Sequence, residues 1–140
     1  MNDATTINVH LRYLVENCQI ALKKLQELNI EPIRAMQQNN PINPNPIGDL
    51  HRIVQDYLIV RVAGLFDKQT NTSSFENTYG TNEQYKQLKN EEIVRYMIKM
   101  RNTFVAHVPQ NLPNSFPDTQ KIISSNLSSV FQNLINILPR

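Results

Sequence analysis

Apolar residues at Ile7, Leu11, Leu14, Cys18, Ala21, Leu25 and Leu28 recur at alternating steps of four and three. That spacing lays a stripe down one face of a helix from about Thr6 to Asn29, with Lys23, Lys24 and Glu27 off the stripe. A second helix is expected from a cap at Asp49 to about Phe66. Its apolar residues are Leu50, Ile53, Val54, Tyr57, Leu58, Val62 and Leu65, and Ile59, Val60 and Phe66 widen the stripe. A helix apolar over more than half its circumference is covered on two sides, and in so small a protein one of them can be another subunit. Helical pattern returns near Asn82 and runs to about His107, where Val108-Pro109 ends it. Asp118 then caps a last helix through Ile122, Ile123, Leu127, Val130, Phe131, Leu134, Ile135 and Leu138. Four such helices predict an all-α, up-down bundle forming a single domain over residues 1–140.

The connections are long. From Glu31 to Gly48, Pro32, Pro41, Pro44 and Pro46 alternate with Asn39, Asn40, Asn43 and Asn45. Each proline removes a backbone donor and disfavours helix at the residue before it, so beyond a helical turn near Ile33 to Gln38 this stretch reads as a crossover. Asp67 to Thr81 and Gln110 to Pro117 are the second and third loops.

Composition narrows the chemistry. The 140 residues carry 14 Lys+Arg against 12 Asp+Glu, a formal net charge of +2, which excludes a protein that coats polyanions by bulk charge. One cysteine, Cys18, excludes an intrachain disulfide and a multi-thiolate zinc site. No apolar run approaches the ~18 residues of a membrane span, and the polar start, Met1 to Thr6, lacks the pattern of a secretory signal. A soluble, cytoplasmic protein is expected. There is no phosphate-binding glycine loop, no G-x-S-x-G and no H-E-x-x-H. His10, His51 and His107 are too far apart in sequence for a helical metal pair, although a site assembled in space stays open; neither a metal nor a cofactor is expected. His10 and His51, near helix starts, read as surface or boundary residues.

The third helix is different. Between Asn82 and His107, Lys86, Lys89, Arg95, Lys99 and Arg101 outnumber Glu83, Glu91 and Glu92, so this segment carries the whole net charge. Glu91 and Arg95, four residues apart, are placed to pair on a solvated face. On a helical wheel Ile93, Met97, Met100 and Phe104 form one stripe, with His107 continuing it, and Val94, Ile98 and Val105 form a second. Arg101 lies inside the second stripe. A guanidinium on a covered face needs an anionic or carbonyl partner. His107 is able to give or take a proton near neutral pH. In one straight helix the two residues are separated by about 9 Å of rise and about 120° of rotation. They converge if two copies meet across a dyad or if the last turn of the helix is distorted.

The run Arg101-Asn102-Thr103-Phe104-Val105-Ala106-His107, an Arg followed by a polar residue and then a His late in a helix of a small all-α protein, resembles the motif of the HEPN superfamily. The stretch Asp67-Lys68 with Ser73-Ser74-Phe75-Glu76-Asn77, after a helix ending Leu65-Phe66, is similar to the abortive-infection branch of that superfamily. The resemblance implies a HEPN-like four-helix bundle acting as a homodimer. It implies a metal-independent endoribonuclease of the toxin or phage-defence type that cleaves RNA at a composite homodimer site, with an antitoxin or nucleotidyltransferase as a further partner. His107 would be the general acid or base, Arg101 would hold the scissile phosphate, and Asn102 would orient one of them. Lys99 and Arg95 would steer the RNA backbone, and Tyr79 or Phe75 could stack a base, although Phe75 also suits a loop anchored in the core. The alternative is a non-catalytic dimeric module that binds a nucleotide or a protein partner.

Overall fold

In the computed structural model, the residues described are 4–29, 46–68, 73–105 and 117–140. They form seven α-helices and one π-turn, with no strand among them. The helices are α1 (Ala4–Leu28), α2 (Pro46–Leu65), α3 (Phe75–Tyr79), α4 (Glu83–Lys89), α5 (Glu92–Met100), α6 (Thr119–Ile123) and α7 (Leu127–Ile137). The π-turn, Arg101–Val105, continues α5 directly. Among the described residues no helix is long and apolar enough to cross a membrane. The fold is all-α.

α1 buries Leu11, Val15, Cys18, Ala21, Leu22, Leu25 and Leu28 against α2 and α7. Ile7 and Leu14 pack at the margin of that core. The buried face is therefore turned slightly from the expected stripe, and it includes Val15 and Leu22. Cys18 lies at its centre, and burial pushes its thiol up to about 12, so the residue packs as a small apolar group.

α2 begins at Pro46, inside the stretch expected to be loop, because a proline at the first helical position loses no internal hydrogen bond. Asp49 consequently lies within the first turn, where it complements the helix dipole instead of capping the end. Leu58, Ile59, Val62, Ala63, Leu65 and Phe66 are buried, and α5 and the π-turn pack on this helix. His51 is fully buried as well, contrary to its reading as a surface residue. It stands four residues before Gln55 and seven before Leu58, on the core face of α2. The neighbouring Gln55 side chain accepts a hydrogen bond from the Thr119 hydroxyl at the start of α6.

The helix expected from Asn82 to His107 is interrupted. Asn82 caps α4, its side-chain oxygen accepting the Tyr85 amide at 3.0 Å. The chain leaves the helix at Asn90 and Glu91, the latter extended at φ −60° and ψ 139°, and re-enters it at Glu92. Glu91 caps α5, its carbonyl accepting the Arg95 amide at 3.1 Å, and among the described residues the two side chains form no ion pair. Instead Glu92 pairs with Lys121 at 3.2 Å, and the Lys121 ammonium lies 4.7 Å from the Tyr96 ring centre. The last helix is also divided. Ser125 donates to the Ile122 carbonyl at 2.6 Å and accepts the Leu127 amide at 3.2 Å, side-chain bonds that compete with the helical ladder. Asp118 caps α6 as expected, accepting the Lys121 amide at 3.2 Å.

The second loop contains a short helix. Ser74 caps α3 by accepting the Asn77 amide at 3.1 Å. Phe75 is fully buried against Tyr79 and Tyr85, ring centres 5.8 and 6.5 Å away, and is thus a core anchor and not a stacking platform. Gly80 passes so close to α3 that a Cβ there would stand 2.6 Å from the Glu76 carbonyl oxygen. The expected turn near Ile33 to Gln38, most of the first and third connections, and His107 with Val108-Pro109 lie outside the described residues.

Candidate functional site

The site is built where the C-terminal end of α2 meets the junction of α5 and the π-turn. α5 buries Ile93, Val94, Met97 and Met100, which anchors the helix up to the residue before Arg101. The Arg101 amide donates to the carbonyls of both Ile98 and Met97, the shared bonding common where a helix changes pitch. Two residues later the Thr103 hydroxyl donates to the Lys99 carbonyl at 2.7 Å, a back-bond that loosens the normal ladder. The result is the widened turn from Arg101 to Val105, a type of distortion frequent at functional sites.

Arg101 is held on two sides. Its Nη1 donates to the Asp67 carboxylate, which the chain presents just after α2 ends. Its Nε and Nη2 both donate to the side-chain oxygen of Asn102, at 2.9 and 2.8 Å. The partner that its covered position demands is therefore Asp67, 34 residues away in sequence. The side chains remain 19% and 30% exposed, so the pair is reachable from solvent at its edge. A guanidinium has five N–H groups. Three are engaged here, and two point elsewhere than these partners.

Beside this pair is a second polar set. The Tyr85 hydroxyl donates to the Glu76 carboxylate, with the Phe66 carbonyl 3.4 Å from the same oxygen. Lys89 donates to Glu76 at 3.0 Å. Phe66 stacks on Tyr85 with ring centres 5.5 Å apart, so the Phe66-Asp67 turn joins the two sets. Tyr79, on the adjoining α3, donates to the Asn8 side chain at 2.5 Å and so ties this corner to α1.

The hydrogen bond from Tyr85 holds the Glu76 carboxyl below its ordinary value, with help from Lys89 and against the raising effect of burial. Burial and the nearby carboxylates of Glu76 and Asp67 push the Tyr85 hydroxyl upward, so it stays protonated and donates. A carboxyl lowered by folding stabilises the fold above its unfolded value of 4.5 and loses that contribution as pH falls through the lowered folded value. Acid unfolding should show this. The wild type should lose stability as pH drops below about 4.5, and Tyr85→Phe should show a shallower loss over the same range. Equal slopes in urea-unfolding series across that range would contradict the assignment.

Of the residues expected to form the site, Arg101 and Asn102 are joined directly. Lys99 and Arg95 are both exposed on α5, without a described partner that diverts them. His107 lies outside the described residues, as do the side chains of Phe104 and Val105. Asp67, Glu76 and Tyr85 were not expected as functional residues. Asp67 directly follows an apolar helix and Glu76 follows a capping serine, positions that bring charge to a helix end, but neither pattern names its distant partner. Among the described residues no group of His, Cys, Asp and Glu is placed to hold a metal ion. Compared with known proteins, the chain matches no family model, no curated protein and no solved structure.

Proposed function

We propose that this chain is a metal-independent endoribonuclease of the HEPN type, toxin-like or phage-defence-like, working in the cytoplasm as a homodimer on RNA. The observation that supports the reading most is the orientation of Arg101. Its guanidinium is fixed by Asp67 and Asn102 at the mouth of a π-turn, with two N–H groups not engaged among the described residues and so open to a phosphate, six residues before His107.

RNA supplies its own nucleophile, the 2′-hydroxyl. Its oxygen attacks the adjacent phosphorus, and the bond to the 5′-oxygen of the next nucleotide breaks. His107 takes the proton from the 2′-hydroxyl or gives one to the leaving oxygen. Arg101 binds the non-bridging oxygens and offsets the charge that grows on them. Asn102 keeps the guanidinium fork in one orientation, and Asp67 does the same from the other side. Lys99 and Arg95 stand two and six residues before Arg101 on the exposed face of α5, where they would guide the strand.

A second reading has an observation of its own. Asp67 already balances the charge of Arg101 within one subunit, as in a structural ion pair. That favours a non-catalytic dimeric module for a nucleotide, an antitoxin or a nucleotidyltransferase. The two readings separate on expression. The wild type should arrest growth of a host cell and degrade its RNA, whereas His107→Ala at the same protein level should do neither. Equal growth with both, or equal arrest with both, would remove the nuclease reading.

A further inference from the structure

The outward face of α2 carries an apolar row that lies apart from the core of the described residues. Leu50, Ile53, Tyr57 and Val60 are between 36% and 59% exposed, although each is large and apolar. They follow one another at steps of three, four and three, and Gly64 continues the spacing. This row is about 160° round the helix from Leu58, Ile59, Val62, Leu65 and Phe66, which face the protein's own core. An alternation of three and four is the seam along which two helices pair side by side.

We propose that this seam is the homodimer interface, and that two copies of α2 lie parallel along it. The charges beside the row decide both the occupant and the direction. With Leu50 and Tyr57 as one core position and Ile53 and Val60 as the other, Asp49 and Asp56 flank one side of the seam, and Val54 and Arg61 flank the other. In a parallel pair each flanking residue faces the partner residue five positions further along on the opposite flank. Asp56 therefore meets Arg61 of the second copy, and the dyad makes that contact twice. In an antiparallel pair like flanks meet, and Asp49 and Asp56 would confront aspartates. A second copy of this chain thus complements the row in both apolarity and charge.

The arrangement inside one subunit agrees. Arg61 lies over the Tyr57 ring, 5.4 Å from its centre, which places the guanidinium at the edge of the seam. Asp49 pairs with Arg52 at 3.2 Å, whereas among the described residues Asp56 forms no ion pair. The seam from Leu50 to Gly64 is about 21 Å long, which suits a concentration-dependent dimer held by one helix pair.

The inference deepens the dimer part of the proposed function. Its test is made on the full chain without RNA, so a failed seam and a failed nuclease reading are told apart. Sedimentation equilibrium should find a reversible dimer for the wild type. Ile53→Glu should raise the dissociation constant at least about tenfold with helix content unchanged, since it sets two like charges against each other on the seam. Asp56→Arg and Arg61→Asp should each weaken the dimer, and the double swap should restore it to within about twofold, its ion pairs being exchanged and not lost. A wild type monomeric at all concentrations, or a dimer indifferent to Ile53→Glu, would overturn the interface. A monomer in which Ile53→Glu lowers the melting temperature would overturn it too. A double swap no better than the single changes would overturn the parallel pairing.

Discussion

Arg101→Ala should lower the rate of RNA cleavage by about 10²–10³-fold, the usual effect of removing one fixed donor from charge that develops in a transition state. The reason lies in how the side chain is held. Asp67 takes one N–H, and Asn102 takes two. The remaining donors are therefore set in one direction before substrate arrives, and little reorganisation accompanies the reaction. Arg101→Lys keeps the charge but loses the planar fork, and should recover only a small part of the rate. The loss should not come from unfolding. Arg101 and Asp67 are both partly exposed, so breaking their pair changes stability by only about 1 kcal/mol. Initial rates on a single-stranded RNA, together with melting temperatures of each variant, check both halves. An Arg101→Ala protein that melts normally and cleaves within about twofold of the wild type would remove the role assigned to this residue.

The largest stability effect is expected at Phe131. Its side chain is fully buried in α7, the helix that packs against both α1 and α4. Phe131→Ala should destabilise the fold by about 3–5 kcal/mol, because it removes the transfer energy of the ring and leaves a cavity that the helices close only in part. That is a large share of a domain's usual ~5–15 kcal/mol, and the melting temperature should fall by about 10 °C or more. Tyr13→Ala is the matched control. Tyr13 is an aromatic residue 59% exposed on α1, and its replacement should stay within about 0.5 kcal/mol. Urea unfolding of the two variants measures the contrast. Similar losses at the two sites would mean that the core is not where the helix faces place it.

What could be read from the sequence follows from range. Local periodicity located α1 to within a residue or two, and the short-range bonding of Asp118 and Asn82 made the starts of α6 and α4 visible. The same periodicity placed Arg101 on a covered face and required an anionic partner for it. Competition between backbone and side chains was harder to read. The extended backbone at Glu91 and the hydroxyl of Ser125 each divide a helix whose apolar spacing continues across the break. Packing choices were harder again. His51 carries a polar ring at a helix start, yet the turn of α2 puts it on the same face as Leu58 and Val62. The pairing of Asp67 with Arg101 joins the end of one helix to the end of another, and no repeat or spacing links them. That pairing is the part of the candidate site that only three-dimensional structure supplies.

The most direct measurement is an end-group analysis of RNA fragments produced by the purified protein in excess EDTA. The wild type should leave a 2′,3′-cyclic phosphate on one fragment and a 5′-hydroxyl on the other. It should leave intact a strand whose nucleotide before the cleavage point is 2′-deoxy, since that strand lacks the nucleophile. Fragments ending in a 5′-phosphate, or cleavage of the 2′-deoxy strand at the same rate, would contradict attack by the 2′-hydroxyl at an Arg101–His107 site.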